Sequence, residues 1–366
     1  MLRLFKRVKF HLTIPEASGK VVAQASQLPP LPSMKRLFSS VLVLSLAAAS
    51  SLHSAEPKKV LVLSVTAGFR HSSIETGEKV LQRLADESKA FQIVDFARQP
   101  KVQIHKKPGA PRKPGALKPD ADEPAKVRHA EEMRKYDEAQ AKYEAALAKW
   151  TPADDAKVAS SQAEFDAKMK AEMEKLSPAN LAKYDGVIFV NTTGDLPLPD
   201  RDAFIKWVAD GHALIGMHSA SDTFHSYRPY IELLGGEFAG HGPQISVAVN
   251  KIDSAHPATA GLPDVWNIAQ EEIYMFKNYD RSRVRDLLGL SVSPKDKSAG
   301  HFPVSWVREE GKGRVFFTSL GHREDVWDET SEVKDRKNPP EVAKAFQQHI
   351  LGGIRWALGV ADSPAR

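Results

Sequence analysis

Four histidines and one glutamate, His71, His218, His241, His322 and Glu272, are of the types that move protons or hold metal ions. Imidazole titrates near neutrality and a carboxylate can orient and tune it, so the set suits general acid–base catalysis at all five positions. The same side chains suit a divalent metal ion such as zinc, with His218, His241, Glu272 and His322 as ligands and a water in the open position. A third reading leaves them as a structural cluster. The five lie far apart in the chain, so no short spacing motif chooses between these readings. The elements that carry them must bring them together.

Those elements read as alternating strands and helices. Residues 213–217, ALIGM, form a short apolar run that ends in His218-Ser219-Ala220, a strand stopping at a sharp turn. In open α/β sheets such strand ends face a ligand crevice, which makes His218 the leading clue. Residues 59–65, KVLVLSV, read as a central strand buried on both faces. His71 follows at the junction with a helix over 74–87, for which Ser72 or Ser73 is the expected N-cap. Further strands are expected at 91–96, 187–191, 244–252, 268–276, 287–292, 302–307 and 313–319, the last again ending close to a histidine, His322. Helical patterns occupy 199–210 and 340–358. Strand and helix in alternation predict an α/β fold, a doubly wound, mostly parallel sheet flanked by helices. On the 268–276 strand Glu271 is expected to point away from Glu272. His225, His256 and His301 read as histidines that cap turns or bond to the backbone.

Residues 100–176 break the pattern. A Pro/Lys-rich linker over 100–124 leads into an Ala/Lys/Glu-rich stretch over 125–175, expected to form one or two exposed helices inserted in the domain. The chain starts unusually as well. Met34-Lys35-Arg36 and the apolar core 41–49 have the form of a secretory signal over residues 34–55. Residues 1–33 then read as upstream translation or disordered chain. The protein is expected to be periplasmic or secreted, with no membrane anchor after cleavage.

Composition narrows the chemistry. The 366 residues are 42% hydrophobic and 27% charged, enough for one large α/β domain with additions. The net charge of +5 comes largely from the first 36 residues and from 101–118, so it implies no nucleic-acid partner. There is no cysteine, which removes thiolate nucleophiles, thiolate metal sites and disulfides.

Several motifs, in order, carry a resemblance: TAGFRHSS at Thr66, GMHSASDTF at Gly216, LLGGEFAGHG at Leu233, HPATAGLP at His256, EEIYMF at Glu271 and TSLGHRED at Thr318. From about residue 58 to 359 the chain resembles the trehalose-utilisation (ThuA-like) family, outside the insertion at 100–176. The resemblance implies a flavodoxin-like fold of the class I glutamine amidotransferase type. Amidotransferases carry a nucleophilic cysteine on the elbow where this chain has His218, so thiolate glutaminase chemistry is not expected. Ser219 beside it is a weaker candidate nucleophile.

The family is associated with disaccharides such as trehalose, including 3-keto sugars, so the implied ligand is a small-molecule carbohydrate. Asn191, Asp195, Asp222, Tyr274 and Arg323 are then the expected substrate-binding residues, and Phe224, Trp266, Tyr274 and Trp327 could stack on sugar rings. The resulting expectation is an exported sugar-processing enzyme, a hydrolase, lyase or isomerase working by His/Glu acid–base or metal-assisted chemistry. The alternatives are a non-catalytic carbohydrate-binding domain and an interaction scaffold built on the insertion.

Overall fold

A computed structural model describes residues 56–363 of the chain. The expectations for 1–33 and for the signal segment therefore lie outside the described residues. The elements run β1 (Lys58–Leu63), α1 (Ile74–Ser88), β2 (Phe91–Ala97), α2 (Glu123–Ala148), α3 (Pro152–Met173), α4 (Pro178–Leu181), β3 (Gly186–Val190), α5 (Arg201–Ala209), β4 (Ala213–Met217), α6 (Arg228–Leu234), β5 (Glu237–His241), β6 (Ile245–Lys251), β7 (Val265–Glu271), β8 (Tyr274–Lys277), β9 (Arg285–Val292), β10 (Ala299–Glu310), β11 (Gly313–Thr318), α7 (Glu324–Trp327) and α8 (Pro340–Ala357). No helix among the described residues is long and apolar enough to cross a membrane.

Nine strands form one sheet in the order β2-β1-β3-β4-β11-β10-β9-β6-β7. The block from β2 to β11 is parallel, and in the whole sheet only β10 and β6 run against the other strands. Alternation of apolar side chains explains why the parallel block is buried on both faces. Val60, Val62, Ile188, Val190, Ile215 and Phe316 pack under α1 and α8 on one side. Leu61, Leu63, Val187, Phe189, Leu214 and Phe317 pack under α5 and α6 on the other.

The insertion forms two helices. Asp122 caps α2, its carboxylate accepting from the Ala125 N–H at 2.8 Å, and α2 buries none of its residues. Its surface pairs, such as Arg134 with Glu131 and Lys126 with Glu123, are exposed and contribute little. Helix α3 starts on a Thr151/Asp154 capping box and buries only Met169 and Met173, which enter the α5-side core. Stability should follow that division. Met173→Ala is expected to cost about 2–5 kcal/mol, whereas Tyr143→Ala on α2 stays within about 0.5 kcal/mol, both read from urea unfolding midpoints.

Two local expectations change. The run 268–276 is not one strand: β7 ends at Glu271, and β8 pairs instead with β5 in a separate two-stranded sheet. Glu271 Oε1 accepts the His322 N–H at 2.8 Å and Glu272 turns toward imidazoles, so the chain is drawn off the sheet edge at this point. Ser73 stands at the N-cap of α1 but makes no capping bond, because its hydroxyl donates to the Gly321 carbonyl at 3.0 Å.

Candidate functional site

Strands β1, β3, β4 and β11 are parallel neighbours, so the loops leaving their carboxyl ends emerge along one edge. Those loops hold His71, Asn191, His218 and His322. They are tied to one another: Ala67 N–H donates to the Thr193 carbonyl at 2.8 Å, and Gly194 N–H to the Asp222 carbonyl at 2.8 Å. Gly194 itself has φ +77° and lets the 66–69 loop pass so closely that a Cβ would lie 2.9 Å from the Gly68 nitrogen. His218 also has positive φ, +46°, in a conformation that costs an L-residue roughly 1–2 kcal/mol. That turn lifts its side chain out of the strand end, the geometry of a nucleophile elbow with imidazole in the nucleophile's place. Glu272, Tyr274 and His241 approach from the β7–β8 junction and the two-stranded β5–β8 sheet.

The side chains meet closely. His71 Nε2 lies 3.2 Å from His218 Nε2, and His71 Nδ1 lies 3.3 Å from Ser219 Oγ. Glu272 Oε2 is 3.1 Å from His322 Nδ1 and 3.7 Å from His218 Nε2, while its Oε1 is 3.0 Å from His241 Nδ1. His71, His218, Glu272 and His322 each offer a ligand atom, all within 4.8 Å of one another, and these are the residues that could hold a metal. His241 was the expected fourth ligand, but it stands outside that group, and His71 takes the place. His241 instead grips the outer oxygen of Glu272, its Nδ1 also 2.8 Å from the Gly242 carbonyl. A nitrogen between a carbonyl and a carboxylate carries the proton, so Nε2 is the His241 nitrogen left to act as an acceptor. Its ring is the most exposed of the group, with 43% of the side chain in contact with solvent.

Burial sets the charge of the inner rings. His71 falls to about 4, first because it is desolvated and then because of His322, against a smaller upward pull from Glu272. His218 is pushed well below the ordinary range by complete burial, then by His71 and His322. Both are neutral at pH 7. His218 Nδ1, 2.7 Å from the Ser319 carbonyl, must be the protonated nitrogen, which leaves a bare lone pair on Nε2 pointing into the cluster. The Tyr274 ring packs on His218 at 4.3 Å, and burial, followed by Glu272, raises its phenol and keeps it protonated. Behind the cluster, burial lifts Glu271 to about 8 despite the N–H bonds it accepts from His322 and Glu272.

Several expected substrate contacts are already committed elsewhere. Asn191 is fully buried, and its amide nitrogen donates to Ser73 Oγ and to the Gly321 carbonyl. Arg323 donates from all three guanidinium nitrogens, to Asp325, to Gln244 at 2.9 Å and to the Asp335 carbonyl. Asp222 accepts from His225, whose other nitrogen meets Glu237, each at 2.6 Å. Against the pull of burial, those two carboxylates raise His225 above its ordinary value. Asp195 accepts from Ser226 Oγ at 2.8 Å and is partly exposed. Phe224, Trp266 and Trp327 are core side chains, at most 3% exposed, and offer no face to a sugar. His256 takes the Ala258 N–H at 3.1 Å, as a backbone-bonded histidine should, whereas His301 pairs with Asp286 at 3.1 Å.

One residue escaped the sequence reading. Phe69 is 67% exposed, and its ring stands edge-on to His71 at 4.8 Å between centroids. Its exposure beside a cluster of titratable groups makes it a candidate ligand contact. The only available signal was its place two residues before His71.

Comparison with known proteins agrees with this architecture. The structure matches a ThuA-like protein from Parabacteroides merdae with a TM-score of 0.52 at 17% identity, covering 85% of this chain and 93% of that one. A ThuA-like protein from Bacteroides uniformis gives a TM-score of 0.49 at 16% identity, covering 84% and 94%. At such identities the likeness shows the fold alone, a doubly wound, mostly parallel sheet of the amidotransferase-like type. None of the curated proteins compared matches the chain. A family profile described as trehalose utilisation matches residues 126–357, more than half of the chain, beginning within α2 and leaving out β1, α1, β2 and His71. The chain belongs to the trehalose-utilisation (ThuA) family.

Proposed function

We propose that the chain is an exported sugar-processing enzyme that acts on a disaccharide or its keto form by proton transfer. One observation carries the reading. Glu272 joins a solvent-facing imidazole, His241, to His322 and to the fully buried, neutral His218. A carboxylate that fixes the tautomer of an exposed histidine presents Nε2 as a general base. Next to a sugar carbonyl a C–H proton is acidified, and its removal to His241 Nε2 opens isomerisation or eliminative cleavage. This route needs no pair of carboxylates flanking the glycosidic bond. The family's trehalose-utilisation description supports the substrate class, and the signal-like segment at 34–55 supports export.

The test is solvent exchange. The purified chain, incubated in D2O with trehalose, related disaccharides and their 3-keto forms, is expected to wash deuterium into the carbon beside the keto group, followed by NMR. Saturable sugar binding with neither exchange nor product in the whole panel would replace the enzyme reading by a carbohydrate-binding one. Phe69 gives a second check. Phe69→Ala is expected to raise KM roughly tenfold, about 1.4 kcal/mol, with kcat nearly unchanged, because the ring contributes binding shared by ground and transition states.

A further inference from the structure

We propose that His71, His218, His322 and Glu272 together bind one divalent transition-metal ion of the zinc class. The inference rests on the reading above for its chemistry, since a cation there would polarise the sugar's carbonyl oxygen. Its geometry stands by itself. Ligands about 2.0–2.1 Å from a tetrahedral ion are separated from one another by roughly 3.3 Å. The contacts here are 3.2 Å between His71 Nε2 and His218 Nε2, 3.1 Å between His322 Nδ1 and Glu272 Oε2, and 3.7 Å between His218 Nε2 and Glu272 Oε2.

The tautomers point the same way. Ser319 holds the His218 proton on Nδ1, and Ser219 Oγ lies beside His71 Nδ1, so each ring can turn a lone pair on Nε2 toward the other. Two lone pairs face to face repel unless a proton or a cation lies between them. His322 Nδ1 is buried and makes no hydrogen bond, although Glu272 Oε2 is near. A buried polar atom without a partner is costly and needs an explanation. A cation at the centre satisfies these atoms together.

Outer contacts complete the arrangement. His241 anchors the far oxygen of Glu272, and the Ser319 carbonyl and Ser219 hydroxyl hold two of the rings, as the supporting contacts of metal ligands do. Three nitrogens and one carboxylate oxygen, without sulfur, suit zinc and its divalent neighbours better than calcium or magnesium. His322 and Glu272 keep 19% and 9% of their side chains exposed, so solvent or a substrate oxygen can approach from that side.

Metal content and cobalt spectroscopy test this without reference to turnover. The purified full chain is expected to carry close to one equivalent of zinc, manganese, iron or nickel by elemental analysis. After chelation, Co²⁺ titration should give saturable visible absorption at one equivalent. His218→Asn, which tolerates the left-handed backbone, and His322→Ala should each weaken Co²⁺ binding roughly 100-fold or more while keeping the urea midpoint of the metal-free wild type to within a few tenths of a molar unit. His241→Ala should still bind a full equivalent. The proposal is overturned if the wild type gives no saturable Co²⁺ signal, or if both ligand variants bind as tightly as wild type. The two readings fail separately. Stoichiometric metal without any sugar exchange sinks the enzyme reading alone, and sugar exchange by protein that gives no saturable Co²⁺ signal sinks the metal alone.

Discussion

His241→Ala is expected to lower kcat on a keto-disaccharide by about 10²- to 10⁴-fold, the usual contribution of a positioned general base, with a much smaller change in KM. The expectation follows from the two bonds at Nδ1, to Glu272 Oε1 at 3.0 Å and to the Gly242 carbonyl at 2.8 Å, which together fix the lone pair on Nε2. Glu272→Gln tests the same pair from the other end. The amide keeps the shape and loses the charge that steadies an imidazolium as it forms, so the loss should be of similar order. Steady-state rates combined with deuterium exchange distinguish the outcomes. If His241→Ala exchanges the substrate proton as fast as wild type, another residue is the base.

The second large effect is on stability in acid. His349 is completely buried, donates from Nδ1 to the Ala258 carbonyl at 2.8 Å, and has no partner for Nε2. Burial takes it to about 4, and His256, which meets the same residue through the Ala258 N–H, also to about 4, first by burial and then by Arg285. Both rings fold neutral. The unfolded chain takes up protons near pH 6.5 and the folded one only near pH 4, so the stabilisation is fully present above pH 6.5 and is lost as pH falls between the two. Each histidine accounts for roughly 3 kcal/mol across that window. Together they approach the whole stability of an ordinary domain, about 5–15 kcal/mol. Urea midpoints should fall as the pH drops from 6.5 toward 4, less steeply than the two histidines alone would give, because Glu271, lifted to about 8, favours the folded state as it takes up its proton. His349→Asn, which can keep an N–H toward Ala258 but does not titrate, should flatten the slope by about 1.4 kcal/mol per pH unit between pH 6 and 4.5. An unchanged slope would mean that this ring is not the cause.

Much of the fold was legible because the parallel strands announce themselves. Residues 213–217 are apolar at every position but Gly216 and end in polar chain, and β4 occupies those same residues. The same logic found β1, β3 and β11. It missed β5, where Glu237 and Gly240 interrupt any alternation, and it merged β7 with β8, because neither glycine nor proline marks the break at Glu272. Strand-end position also singled out His71, His218 and His322, which the sheet does bring together. Sequence gives no account of whether a polar side chain is already spoken for. Asn191 and Arg323 stand at strand ends as well, yet their donors brace loops. Nor does order along the chain say which imidazole faces inward, so His241 was grouped with the inner ligands while His71 occupies that position.

Strands β5 and β8, separated in the chain by β6 and β7, pair only with each other as a sheet and carry His241 and Tyr274, with Glu272 two residues before β8 begins. The buried imidazoles belong to the nine-stranded framework instead. On the proposed reading, the base and the buried imidazole cluster are therefore carried by two different sheets. Under the proposed function, substitutions at exposed positions of β5 and β8 should shift which sugar carbon surrenders its hydrogen while leaving the unfolding midpoint close to that of the parent chain.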